Sequence, residues 1–507
     1  MKYLITGFIC LITITNSFSQ QTISAKLIDS TTQKPIPFAN VSYSKNAGVI
    51  SNSQGVFQIH FKKQLSNKDS IFVSCMGYKP KTIAALTFTD SVLTLAPKSI
   101  ELDEVLVSNK NYTAKEIIKK AYENLSKNYP LNDTKSRLFL RESHFNNITK
   151  NSIKVKETSI PELNQKFMDN IMKMMPKNAS DHIEFLGDFY QSSNPETAKK
   201  LNIIKASHLY DKKLEVSFDG LEERFNSIFR KHVKRDSYFK IKSGIFGTKE
   251  AIDSSFFDSA EKKENHKKTE AFIAEQKKKE ADRKKDFLKH RKHTVTNLQN
   301  DSFLLEDSHL NFLQKPNKYH FEISDHLFLN SNFVYKLHFT PKRSADYKGV
   351  IYINTEDFAI VRVDYENVKR LKNFNLLGIS YQENLHKGVL IYTKNSKNAY
   401  TLKYAERENN MSFGIKRPLK IIEKNKYVKG RRKQNELSTD VHFIMSNTVK
   451  KELVVFENNI ITNTVFNAFT EKPNVNPTYL PDYNPKFWEG YNVIEPNKAI
   501  KDFKSIE

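Results

Sequence analysis

The segment Tyr335-Lys336-Leu337-His338-Phe339-Thr340-Pro341, with Tyr347-Lys348-Gly349-Val350-Ile351-Tyr352-Ile353-Asn354 and Phe358-Ala359-Ile360-Val361 beyond it, decides the fold of the larger part of this chain. Phe333, Tyr335, Leu337 and Phe339 alternate with Val334, Lys336 and His338, a period of two that lines one face of a strand with apolar side chains. Thr355-Glu356-Asp357 is a loop of hairpin length, so strands at 347–354 and 358–366 are expected to pair antiparallel. Upstream, Tyr319, Phe321 and Ile323 alternate in the same way with Lys318, His320 and Glu322. Downstream, further strands are expected at 388–393, 400–404, 419–422, 441–445 and 452–456. Sequential hairpins with one apolar face describe an antiparallel meander or half-barrel across residues 301–470.

The other end of the chain reads as a smaller sheet. Residues 23–28 alternate and 29–34 form a polar turn. Then come Pro35-Ile36-Pro37-Phe38-Ala39-Asn40-Val41, Gly55-Val56-Phe57-Gln58-Ile59, Ile71-Phe72-Val73-Ser74-Cys75-Met76-Gly77-Tyr78 and Leu102-Asp103-Glu104-Val105-Leu106-Val107. Short β segments punctuated by Gly, Asn and Ser predict an antiparallel β-sandwich over 21–107. Gly55 fits a turn position of positive φ, after which Phe57 and Ile59 turn inward. The order of these pieces resembles the carboxypeptidase-regulatory-like, or transthyretin-like, domain found beside some carboxypeptidases and at the front of many outer-membrane transporters. That resemblance implies a binding or spacer module and not a catalyst. The hairpin pattern from Tyr335 to Val361 is similar to that of periplasmic half-barrel lipoprotein carriers. It resembles equally uncharacterised half-barrel envelope proteins that pair this half with a regulatory-like module. The carrier resemblance implies a concave face that holds acyl chains, without identifying side chains here.

Between the two sheets, residues 108–259 read as a helical segment. Thr113-Ala114-Lys115-Glu116 is a capping box followed by the stripe Ile117, Ile118, Ala121, Leu125. Ser159-Ile160-Pro161-Glu162 is a second capping signal, before Leu163, Phe167, Ile171 and Met174. Leu221, Phe225, Ile228 and Phe229 form a third stripe, acidic at its start and basic at its end, as the helix dipole favours. The second helix gathers Met168, Met172, Met174 and Met175, which suit ordinary core packing or an adaptable apolar groove. Residues 260–300 are a charged helix or insertion. From Glu261 to His293 there are 13 Lys+Arg against seven Asp+Glu, which suits a solvated linker or a basic arm on an anionic membrane surface. Residues 471–507, with the single Trp488, read as a tail strapped along a domain.

Met1 to Gln20 has the arrangement of an export signal: Lys2, an uncharged apolar run of about a dozen residues, then Asn16-Ser17-Phe18-Ser19-Gln20. Export places the protein in the periplasm or on the periplasmic face of the outer membrane. Beyond the signal Cys75 stands alone, so no intrachain disulfide is expected. The net charge of +24 is spread along the chain, as solubility requires; an exported protein meets anionic lipids and glycans, and nucleic acid is not an expected partner. None of the 14 histidines begins a His-x-x-Glu pair, and no Gly-x-Ser-x-Gly elbow occurs. His290 and His293 have helical spacing but lie among lysines and arginines that repel a cation. After Val107 too little chain follows for a plug and a transporter pore. The expectation is an α+β multi-domain protein with no catalytic, cofactor-binding or metal residue identifiable and no cofactor. It is expected to bind a hydrophobic or amphipathic ligand or an envelope protein. The alternatives are a hydrolase or other enzyme acting on envelope polymers, or a purely structural spacer.

Overall fold

The computed structural model describes residues 21–44, 47–61, 64–98, 112–244, 246–251, 270–329, 332–342, 345–395, 397–430 and 432–505. The expected export signal, the expected strand at 102–107 and residues 261–269 of the charged stretch lie outside them. The chain divides into two compact units.

The first unit holds β1 (Thr22–Asp29), β2 (Asn40–Ser44), β3 (Ala47–Ile50), β4 (Val56–His60), β5 (Ser70–Ser74), β6 (Lys81–Ala84) and β7 (Val92–Leu95). They form two sheets, ordered β4-β1-β7 and β3-β2-β5-β6, so the expected sandwich is present. In β1, Ile23, Ala25 and Leu27 turn inward with Phe57, Ile59, Val41, Val73 and Leu93. Gly55 has φ of 76° as its turn requires, and a Cβ there would meet the Leu27 carbonyl oxygen at 2.5 Å. Two later segments, His326–Val334 and Asn484–Lys501, complete the unit. The His60 amide donates to Asn492 Oδ1 (2.8 Å), Asn52 Nδ2 donates to the Glu495 carbonyl (3.1 Å), and the Gly77 amide donates to the Phe328 carbonyl (2.8 Å). The sandwich therefore draws on three stretches of chain, where the sequence suggested one.

The second unit is built on a sheet that is open at both edges. Its strands, apart from residues 326–334, which fall in the first unit, are β8 (Thr134–Thr158), β9 (Asn178–Gln191), β10 (Lys200–Leu209), β11 (Ser237–Ser243), β12 (Phe246–Ala251), β13 (Tyr319–Leu329), β14 (Asn332–Pro341), β15 (Tyr347–Asn354), β16 (Ile360–Asn367), β17 (Lys372–Leu376), β18 (Ile379–Lys394), β19 (Tyr400–Asn425), β20 (Lys433–Ile460) and β21 (Thr478–Leu480). The order is β13-β14-β15-β16-β18-β19-β20-β8-β9-β10-β21, with β11, β12 and β17 branching off. The β15–β16 hairpin forms as expected, with Ile351 opposite Val363. Four short strands expected after residue 400 merge into two, β19 of 26 residues and β20 of 28. The helices are α1 (Ala114–Glu123), α2 (Leu125–Asn128), α3 (Gln165–Met174), α4 (Lys212–His232), α5 (Glu270–Asn300), α6 (Asn463–Ala468) and, in the first unit, α7 (Lys498–Lys501).

Three expectations change. Residues 108–259 contain the helices but also β8 to β12, so the large sheet recruits chain from both sides of the 260–300 stretch. The capping box at Thr113 forms, whereas α3 is capped by Asn164, which accepts from the Phe167 amide at 3.0 Å; Glu162 instead pairs with Lys231 and His232. The end of the charged stretch is core: in α5, Leu288, Arg291, Val295 and Leu298 are buried, Arg291 pairs with Glu142 and Lys292 with Glu471. That stripe runs past His293, which is why a window ending there looks like a solvated arm, and both cations are paired within the fold.

β8, β9 and β20 are covered on both faces over residues 138–143, 184–190 and 452–455, and charge is buried there in register. Glu184, Arg141, Glu452 and Glu406 lie side by side across β9, β8, β20 and β19. Arg141, 1% exposed, donates through Nε to Glu184 at 2.6 Å, lies 3.8 Å from Glu452, and rests on the Phe139 ring. Lys450 bridges Glu406 (3.1 Å) and Glu452 (3.5 Å), and the Tyr404 hydroxyl donates to Glu406. Burial pushes the imidazole of the enclosed His182 down to about 4, against the pull of Glu184 and Asp181. Burial alone would raise the Glu142 carboxyl, but His144, Arg291 and Lys451 outweigh it and hold it at about 2.

Two outcomes follow for stability. Phe57→Ala empties a fully buried site, so denaturant titration of the full chain should show a loss of about 3–5 kcal/mol. The second concerns pH. His182 takes up a proton more readily when unfolded, so its contribution is complete above its ordinary value of 6.5 and falls away as pH drops toward 4. The Glu142 contribution is complete above 4.5 and is lost as pH falls toward 2. Each is worth on the order of 3 kcal/mol, so urea midpoints should decline in two stages, and His182→Gln should make the upper one shallower. A wild-type midpoint that is level from pH 7 to pH 4 would contradict the buried imidazole.

Candidate functional site

One face of the large sheet receives α5: Arg291 Nη1 and Thr294 Oγ1 both lie 3.3 Å from Glu142 Oε2. Register carries this face across the strands as Gly349, Tyr365, Gly388, Arg407, Lys451 and Glu142. Pairing of β19 with β20 is unbroken from Tyr404 to Ile422, so residues 407, 409, 411, 413 and 415 share one face. Two apolar rows follow on that face. Phe374, Tyr381, Phe413, Met445 and Ile148 form one; Leu376, Ile379, Ile415 and Phe443 form the other.

These rows are only partly covered. Phe413 is 38% exposed, Phe374 48% and Leu376 55%, and the rest are half-buried. The opposite face of the same strands is polar: Asn384 donates to Asn410 (3.0 Å) and Ser412 (2.9 Å), and Asn410 donates to Thr448 (2.8 Å). The strands are therefore amphipathic, with the apolar side facing solvent in part. Along β20 the rows fall between two covered regions. At one end Leu437 packs with α3 and α4, whose core is Ile160, Leu163, Phe167, Met168, Ile171 and Ile228. At the other end Leu453 is fully buried near the α5 contacts.

A groove of about 610 Å³ adjoins the rows where α3 meets β8, lined among others by Ile148, Asn151, Met172, Lys173, Met175 and Lys177. The Asn151 amide donates to the Met172 carbonyl at 2.9 Å and fixes the wall. The methionines of α3 thus divide: Met168 is core, Met172 and Met175 line the groove, and Met174 is exposed. Core packing, one of the two readings of the sequence, holds for Met168.

Toward α5, the same face carries a polar cluster that the sequence did not single out. Asp301 follows the last turn of α5, His309 sits in the following loop, and His386 and Arg407 stand on β18 and β19. Asp301 Oδ1 lies 3.3 Å from His309 Nδ1, Oδ2 lies 3.7 Å from His386 Nε2, and Arg407 Nη1 donates to Oδ2. The Tyr347 hydroxyl lies 2.7 Å from His386 Nδ1. Burial by itself would raise the Asp301 carboxyl, but His386, Arg407 and His309 outweigh it and hold it at about 2. Burial pushes the His309 imidazole down to about 4, with Asp301 opposing and His386 and Arg407 reinforcing. At neutral pH the cluster holds an ionised carboxylate beside a neutral imidazole. His290 and His293, the pair with helical spacing, take no part in it; His293 lies 2.9 Å from Asn297 Nδ2.

No curated protein matches the sequence. A domain described as that of an outer membrane lipoprotein-sorting protein from Vibrio parahaemolyticus aligns over 70% of this chain and 97% of its own, at 10% identity and a TM-score of 0.21. A LolA superfamily protein from Nitrosomonas europaea aligns over 70% and 98%, at 9% identity and a TM-score of 0.17. MucB from Pseudomonas aeruginosa, solved with MucA, aligns over 65% and 93%, at 6% identity and a TM-score of 0.15. No helix among the described residues is long and apolar enough to cross a membrane. At the N-terminus the match is one of sequence, covering residues 23–107, and the sandwich of the first unit is a CarboxypepD_reg-like domain.

Proposed function

We propose that this is a non-enzymatic, exported protein of the bacterial envelope that binds an amphipathic ligand on the open apolar rows of its large sheet. The sandwich serves as a spacer or as a contact for an envelope partner. The observation that carries the proposal is the inversion on β18, β19 and β20: a polar ladder satisfied within one face, and Phe413, Met445, Tyr381 and Ile379 half-exposed on the other. Exposed contiguous apolar surface of this kind, rimmed by polar groups, marks a binding site. A ligand of about ten methylenes laid on the rows gains ~8 kcal/mol gross from burial, part of which offsets the cost of association. Lys173 and Lys177 at the groove suit a negatively charged head group.

Displacement of a fluorescent fatty acid from the full chain tests this. Wild type should bind, and Phe413→Glu and Met445→Glu should each weaken binding at least tenfold with the melting temperature unchanged, since both positions are partly solvated. A partner protein that competes with the probe would identify the occupant as a protein segment. Equal affinity of wild type and both variants would overturn the assignment of the ligand to these rows.

A further inference from the structure

Asp301, His309 and His386 come from a helix end, a loop and a strand, yet each presents a ligand atom within 4.8 Å of the other two. A tetrahedral first-row ion bound at about 2.0–2.1 Å holds its ligand atoms roughly 3.4 Å apart. The Asp301 Oδ1 to His309 Nδ1 distance of 3.3 Å matches such an edge, and the other carboxylate oxygen, Oδ2, lies 3.7 Å from His386 Nε2, so the carboxylate spans both rings. The imidazole rings meet edge to face, 63° apart with centroids 4.5 Å apart, so their nitrogens can converge without the rings stacking. His309 also has a buried Nε2 with no hydrogen-bond partner among the described residues, so the ring is not committed to a closed network.

The geometry points to a binding site for a zinc-class divalent cation, held by the Asp301 carboxylate and the imidazoles of His309 and His386. The donor set, two imidazoles and one carboxylate, is the one such ions take, with a fourth position left to water. A second shell is present for His386. Tyr347 lies on the far nitrogen of His386, and the His386 amide donates to Asn367 Oδ1 at 2.7 Å, which fixes the ring's backbone. A phenolic hydroxyl both donates and accepts. Without the ion, Tyr347 donates to Nδ1 while Nε2–H points at Asp301; with it, the Nε2 proton leaves, Nδ1 carries the ring's hydrogen and Tyr347 accepts it.

Arg407 sets the strength of the site. Its guanidinium shares the Asp301 carboxylate and opposes a dication by charge. A metal site therefore makes a forecast that a purely structural salt cluster does not: removing the arginine charge should tighten metal binding.

The test uses untagged full-length protein stripped with chelator and titrated with Zn²⁺ and Co²⁺, read by calorimetry, thermal shift and the visible d–d bands of cobalt. The expected result is one equivalent bound per chain, a raised melting temperature and the intense absorption of low-coordinate cobalt. His309→Ala and His386→Ala should weaken binding at least tenfold, His309→Gln serving if the alanine variant is unstable. Arg407→Gln should strengthen it, and His290→Ala with His293→Ala should leave it unchanged. Cobalt spectra identical to the aqueous ion, or binding that is indifferent to both His309 substitutions, would overturn the site. A lower melting temperature of the metal-free variants, with no shift on adding the ion to wild type, would assign the cluster to folding alone.

Discussion

The pairing of β20 with β19 on one side and β8 on the other is the constraint from which the larger unit follows. The three strands are long, and the β19–β20 register holds without interruption over most of their shared length. Because side chains alternate strictly between faces, a slip of one residue would exchange every inner group for an outer one. It would carry Arg407 and Phe413 away from the helices and set Asn410 and Ser412 against them. What a given side chain can touch in this unit is thus decided by backbone hydrogen bonds before packing contributes anything.

That register places charge in the interior at a cost that must be met locally. Arg141, Glu184 and Glu452 are nearly inaccessible, and each is tolerable because neighbours in adjacent strands carry the opposite sign. Pairs of this kind add little net stability compared with apolar residues of similar size, but removing one partner leaves an uncompensated charge and is severe. They discriminate strongly among registers, since a misaligned β8 would set Arg141 against something other than two carboxylates. The apolar rows beside them work differently: they are continuous, non-directional and half in water, suited to a chain whose exact position matters less.

The sequence was legible where chemistry is local. β15, β16 and the strands around Gly55 announce themselves by alternation and turn residues, and Thr113 and Glu116 by the capping box they form. β8 and β9 were not legible because Arg141, Glu142 and Glu184 interrupt the apolar pattern; those residues are buried in pairs, and pairing depends on strands not adjacent in sequence. The packed end of α5 was obscured by the lysines around it, although Leu288, Val295 and Leu298 carry the stripe. The Asp301, His309 and His386 cluster had no linear signature at all. Its members converge only when β18 has paired with β19 and the loop after α5 has folded back.

The sandwich of the first unit is stitched from chain that is far apart in order of synthesis. Asn492 and Glu495, which bind the strand and turn at His60 and Asn52, belong to residues 484–501, so they reach their partners only after the strands of the larger sheet have been made. A polypeptide delivered N-terminus first must keep this part provisional while the larger sheet takes shape, then close it late. The domain recognisable in residues 23–107 is in this protein closed by a strap that arrives late, long after its own strands have left the ribosome.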